Sequence, residues 1–168
     1  MTSDLQRQLD TATAFFLAGE RCALELKFDR YGHHTVSAPT IVSYALAVEL
    51  ALKLIHSLSR GAAGREHDLE KLYLLLPAEI RCNLPHLSEC VVEIAQYFVD
   101  WRYPFEKDFL VGDYENPRRA FIECHREIKR LRPELASIYE TVWGDFDPEW
   151  IRAWPEGEPR WELRLTGA

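Results

Sequence analysis

The chain has little that would tie it to a disulfide scaffold, a metal centre or a membrane. Its four cysteines, Cys22, Cys82, Cys90 and Cys124, include no C-x-x-C pair. That spacing argues against a zinc ribbon or redox motif and for reduced thiols, several of them on apolar helix faces. His33 and His34 are adjacent but lack the partner spacing of a ligand set, so neither a metal nor another cofactor is expected. The start, Met1-Thr2-Ser3-Asp4, has no basic n-region, and the apolar patch Ala14-Phe15-Phe16-Leu17-Ala18 is too short for a signal or a span. A cytoplasmic protein without a membrane partner is the expectation. No internal repeat, low-complexity run or clear linker is present, and strand signals are weak, with Trp161 to Leu165 the one short candidate.

Basic charge is also in short supply. A net charge of −7 repels long phosphate backbones, which excludes extended duplex DNA as a partner. The local balance differs around Arg118, Arg119, Arg126, Lys129, Arg130 and Arg132, where bases outnumber Glu123 and Glu127. A small anionic ligand or a short RNA stretch remains compatible with that segment.

What is present is helical periodicity. A chain of 168 residues with 47% apolar and 28% charged residues has the composition of one globular domain. Leu5, Leu9, Ala12, Phe16 and Ala23 mark an amphipathic helix from Ser3 to about Lys27. A loop from Asp29 leads to Ser37, a candidate N-cap or near-cap, and to Pro39 in the first turn of a second helix. In that helix, Pro39 to Ser59, the stripe Ile41, Tyr44, Ala45, Val48, Leu52, Ile55 and Leu58 is widened by Ala47, Leu50, Ala51 and Leu54. A helix apolar over most of its circumference must be surrounded by others, and Gly61 suits its C′ position. His67-Asp68 then caps a short helix from Leu69 to Leu76, and Pro77 and Pro85 bracket another helical piece. A longer helix runs from Leu87 to about Val99 or Trp101 and is stopped or kinked at Pro104. Asn116-Pro117 opens a last helix, interrupted at Pro133 and resumed through Leu135, Ile138, Tyr139 and Val142. The fold class is all-α: a bundle of five to six helices over residues 1–142, followed by a Trp/Pro-rich acidic tail over 143–168. Four tryptophans, Trp143, Trp150, Trp154 and Trp161, give that tail the means to pack on the bundle or on a second subunit.

Three segments line up in order: Ala47-Val48-Glu49-Leu50-Ala51-Leu52-Lys53, then His67-Asp68-Leu69 with Leu72, then Tyr97 followed by Arg102-Tyr103-Pro104. Together, over roughly residues 40–105, they resemble the HEPN (higher eukaryotes and prokaryotes nucleotide-binding) superfamily, with its acidic-x-x-x-Lys pair on a core helix, His-Asp-Leu helix start and Arg-Tyr-Pro-like helix end. The resemblance implies a homodimeric helical bundle, tied to nucleotide, RNA or a partner protein in defence or toxin–antitoxin-type systems. It points to Glu49, Lys53, Arg102 and Tyr103 as ligand-binding residues.

Catalytic members of that superfamily cut RNA without metal, through an Arg and a His four to six residues apart. The His acts as acid or base and the Arg stabilises phosphorane charge. Here Arg102 has no His at that spacing, and Pro85 breaks the Arg81–His86 segment. Arg118, Arg119 and His125 form the best remaining set, because an anion at a helix start also meets free N–H groups. The expectation is therefore a noncatalytic binding or regulatory domain, with a metal-independent endoribonuclease using Arg118, Arg119 and His125 as one alternative and a protein-interaction scaffold as another. Three bland assignments accompany these. Glu49 and Lys53 can be an ordinary i,i+4 pair, Asp68 a helix cap, and His56 a partly exposed helix residue.

Overall fold

The computed structural model describes residues 2–24, 37–61, 66–100 and 114–139. Among them the chain forms six α-helices and no strand: α1 (Thr2–Leu24), α2 (Ser37–Ser59), α3 (Leu69–Leu74), α4 (Ala78–Arg81), α5 (Pro85–Asp100) and α6 (Glu115–Leu131). The all-α expectation holds. The tail, the Trp161–Leu165 strand candidate and the first helix beyond Leu24 lie outside the described residues.

α2 is the axis of the bundle. It packs against α1, α3, α5 and α6. By length and composition Ala38–Ser59 could cross a membrane, but here its apolar side chains are taken up by the other helices. Ile41, Tyr44, Ala45, Ala47, Val48, Ala51, Leu52, Leu54 and Ile55 are all buried, while Leu50 and Leu58 are half-buried. α2 ends as its sequence requires. Arg60 N–H donates to the His56 carbonyl at 2.8 Å, and Gly61 follows at φ 104°, a left-handed conformation that glycine adopts without a Cβ clash.

α1 presents Leu9, Ala12, Thr13, Phe16, Gly19 and Glu20 to the interior, a 3–4 spacing that keeps one face turned inward. Phe16 stacks on Phe121 of α6, with ring centroids 4.5 Å apart, and tilts against Tyr44 of α2 at 5.5 Å. Gly19 is there to let Tyr44 in. A Cβ at that position would come within 2.5 Å of the Tyr44 ring, a contact that outweighs the ~1 kcal/mol that glycine costs inside a helix.

The helix ends differ in part from expectation. Ser37 opens α2, within the expected cap or near-cap position, but Asn116 lies inside the first turn of α6 and not at its cap. The Asn116 side chain instead donates to Glu93 Oε2 at 2.9 Å. α5 starts at Pro85, two residues early, because a side chain from another helix completes its start. Glu123 of α6 accepts from His86 N–H at 3.1 Å and from Leu87 N–H at 2.9 Å. A carboxylate there satisfies orphan amides and faces the positive end of the helix dipole. After α6 the chain turns at Arg132 (φ −145°), as the residue before a proline prefers. It then returns to α1, where Ile138 N–H donates to Asp10 Oδ1 at 2.8 Å and Gln6 donates to the Ala136 carbonyl. All four cysteines are free thiols. Burial pushes Cys90 up to about 12 and Cys124 higher still, so both remain unreactive thiols at neutral pH.

One buried ion pair joins three helices. Arg118 Nε of α6 donates to Glu20 Oε1 of α1 at 2.6 Å, and the Tyr44 hydroxyl of α2 donates to the same oxygen at 2.6 Å. Breaking such a pair strands a buried charge, whereas replacing both members by apolar groups does not. Glu20→Gln or Arg118→Met alone is therefore expected to lower stability in urea denaturation by roughly 3–5 kcal/mol. The double variant Glu20→Met/Arg118→Met should recover most of that loss.

Candidate functional site

Two of the segments singled out in the sequence meet in space. Glu49 sits on α2 among apolar neighbours, and its side chain is 3% exposed. Its Oε1 accepts from Lys53 Nζ, one turn along the same helix, at 2.8 Å. The same oxygen lies 2.8 Å from Nδ1 of His67, which approaches from the segment before α3. Lys53 Nζ and His67 Nδ1 are 3.2 Å apart, a separation that follows when two donors share one acceptor. Glu49 Oε2 is buried without a hydrogen-bond partner among the described residues.

Exposure rises outward through the cluster. The Glu49 side chain is at 3%, Lys53 at 19% and His67 at 70%. A carboxylate at 2.8 Å selects the imidazole tautomer with its proton on Nδ1, because an unprotonated nitrogen would set two lone pairs against each other. The other ring nitrogen, Nε2, is left with a lone pair and no partner among the described residues.

The backbone that carries His67 is held from both sides. Glu66 Oε1 accepts from the N–H groups of His67 and Asp68, each at 2.9 Å. The bond from Asp68 N–H, together with that from His67 N–H, keeps the Glu66 carboxyl below its usual range. Asp68 is the N-cap of α3, as expected, and accepts from Lys71 N–H at 3.1 Å. That bond likewise lowers the Asp68 carboxyl. A folded-state carboxyl held low contributes its stability above its ordinary value and loses it as pH falls through the folded value. The anchorage of His67 is thus fully present at neutral pH and weakens only in acid.

The other site candidates are distributed differently. Arg118 is buried and bound to Glu20, with Glu115 Oε2 at 3.6 Å. Arg119, its neighbour on α6, is exposed, while His125 is buried and lies 6.1 Å from the Phe121 ring. The bundle therefore does not bring Arg118, Arg119 and His125 to one exposed face. Arg102 and Tyr103 lie outside the described residues, as do His33 and His34. His56 corrects its sequence assignment. It is 5% exposed, and its Nε2 is 2.8 Å from the Leu72 carbonyl, tying α2 to α3.

Sequence reasoning missed His67 as a site residue because its neighbour Asp68 explained the dipeptide as a cap. It also missed Glu20, which falls in register with the apolar stripe of α1. No family profile, curated protein or solved structure matches the chain.

The cluster separates stability from function. Lys53→Met leaves the buried Glu49 oxygen short of a donor and should cost roughly 1–3 kcal/mol. Replacing both groups, Glu49→Leu/Lys53→Met, should return the melting midpoint close to that of the unaltered protein.

Proposed function

We propose that this chain is a noncatalytic, HEPN-like helical binding domain that holds a nucleotide, free or within RNA, at the Glu49–Lys53–His67 cluster. The observation that carries the reading is the convergence of the Glu-x-x-x-Lys pair and the His-Asp-Leu helix start on a single buried carboxylate oxygen. The chemistry fits a ligand with two different ends. The ammonium of Lys53 attracts a phosphate. Nε2 of His67, as an acceptor, takes a hydrogen bond from a ribose hydroxyl or a base amino group. The local burial of Glu49 keeps water from competing for the groups that orient both partners.

The noncatalytic character is supported by Arg118, whose guanidinium is engaged inside the bundle with Glu20, and by the burial of His125. A metal-independent ribonuclease needs both groups at an RNA phosphate. The homodimeric state, the cytoplasmic location and a role in a defence or toxin–antitoxin-type system belong to the same proposal and rest on the resemblance and the composition.

A thermal-shift panel of nucleoside mono-, di- and triphosphates tests the binding claim. At about 100 times Kd a ligand adds ~2.7 kcal/mol, a rise in Tm of about 5–10 °C for a chain of this size, and the rise should vanish in Glu49→Leu/Lys53→Met. An unchanged Tm across the panel removes the nucleotide reading and leaves protein interaction. Cleavage of mixed RNA in EDTA, lost in His125→Ala, would overturn the noncatalytic one.

A further inference from the structure

Four histidines fall among the described residues, and three have their rings taken up by the fold. His56 is buried with Nε2 2.8 Å from the Leu72 carbonyl. His86 has Nε2 3.2 Å from the Asn116 carbonyl. His125 is buried beside Phe121. His67 is the inverse case. Its side chain is 70% exposed, Nδ1 faces the Glu49 carboxylate at 2.8 Å, and Nε2 is the outward nitrogen without a partner among the described residues.

We propose that His67 is a phosphoryl-acceptor residue, modified at Nε2 by a small activated donor of the phosphoramidate class. The inference uses the same cluster as the binding reading but does not require a nucleotide to occupy it. Donation of Nδ1–H to Glu49 keeps the Nε2 lone pair in the ring plane and directed away from the carboxylate. A nucleophile of this kind is set up by a base-side partner that fixes its tautomer and orientation.

The reaction balances without a further reactant. The Nε2 lone pair attacks phosphorus and forms the N–P bond. The P–N bond of the N-protonated donor breaks, and its electron pair leaves with ammonia. The imidazole acquires positive charge as the bond forms, and the Glu49 carboxylate, buried and already bound at Nδ1, offsets that charge where the local dielectric is low. The Nδ1 proton stays in the bond to Glu49 throughout. Glu49 is thus a positioning residue, and the nucleophile is His67. Lys53 donates to the same carboxylate oxygen at 2.8 Å, which holds Glu49 in place for the ring.

The backbone supports the assignment. The carboxylates of Glu66 and Asp68 fasten the segment on either side of His67 through three N–H bonds, so the ring is presented from an anchored position. None of the other three described histidines combines exposure, a carboxylate on one nitrogen and an open second nitrogen.

The test is incubation of the folded chain with potassium phosphoramidate near neutral pH, followed by peptide mapping by mass spectrometry and phosphorus NMR of the intact product. The expected result is modification of His67 as the Nε2 isomer, measurably faster than at His67 in the urea-unfolded chain, because the carboxylate fixes the tautomer and offsets the developing charge. Glu49→Gln should remove that advantage while His86 reacts as before. The Nδ1 isomer in the unaltered protein, or a folded rate at His67 no greater than the unfolded one, overturns the proposal. The isomer assignment needs no variant, so it decides the matter even if Glu49→Gln fails to fold.

Discussion

An ionised carboxylate on a helix that is otherwise given over to the core needs partners, because burial of an unpaired charge costs several kcal/mol. Glu49 meets that requirement with two donors of different reach. Lys53 comes from the next turn of α2, and its stem lies along the helix while its ammonium stays near the surface. His67 comes from outside the helix, from the segment just before α3, which packs against α2. The choice of the imidazole tautomer follows from that one carboxylate, while α3 itself is seated by its buried Leu69 and Leu72 and by the His56 bond to the Leu72 carbonyl. Its second oxygen has no partner among the described residues, so among them the pairing of the charge rests on Lys53 and His67.

Glu49 is one of three buried glutamates among the described residues, with Glu20 and Glu127, and the contrast with Glu20 is instructive. Glu20 is reached by Arg118 and Tyr44 from two other helices, with every member of the group inside the bundle. That network fastens α1, α2 and α6 from inside the bundle. The Glu49 group is graded from buried to exposed and ends in a histidine with an open nitrogen. Charge buried on all sides serves packing and specificity of the fold. The open end of the Glu49 group is the part that the proposed function uses.

Much of the bundle was legible in the sequence, because its strongest signals are local. The apolar circumference of α2, Gly61 as its stop and Asp68 as the cap of α3 each need only neighbours within a few residues. The caps that failed are those where a distant residue intervened. Asn116 is drawn to Glu93, and α5 begins early because Glu123 of α6 supplies its cap. Of the site, Glu49 and Lys53 stood out as the charged exceptions on α2, but His67 was hidden behind its capping neighbour. Chain reach contained the missing signal. Glu49 lies about 15 Å below the end of α2 at 1.5 Å per residue, and the six residues from Gly61 to His67 span up to about 20 Å when extended. Glu20 and Arg118 could not be paired from sequence, since 98 residues separate them and each sits within an ordinary amphipathic pattern.

The claim on which the functional account rests is that Glu49 fixes the tautomer of His67. Two-bond proton–nitrogen correlation spectra of the histidine side chains measure this directly, since the two ring nitrogens have distinct shifts according to which carries the proton. The account predicts that neutral His67 carries its proton on Nδ1 in the unaltered protein and reverts to the Nε2–H form common in free imidazoles when Glu49 is replaced by leucine. An Nε2–H tautomer for His67 with Glu49 in place would contradict it.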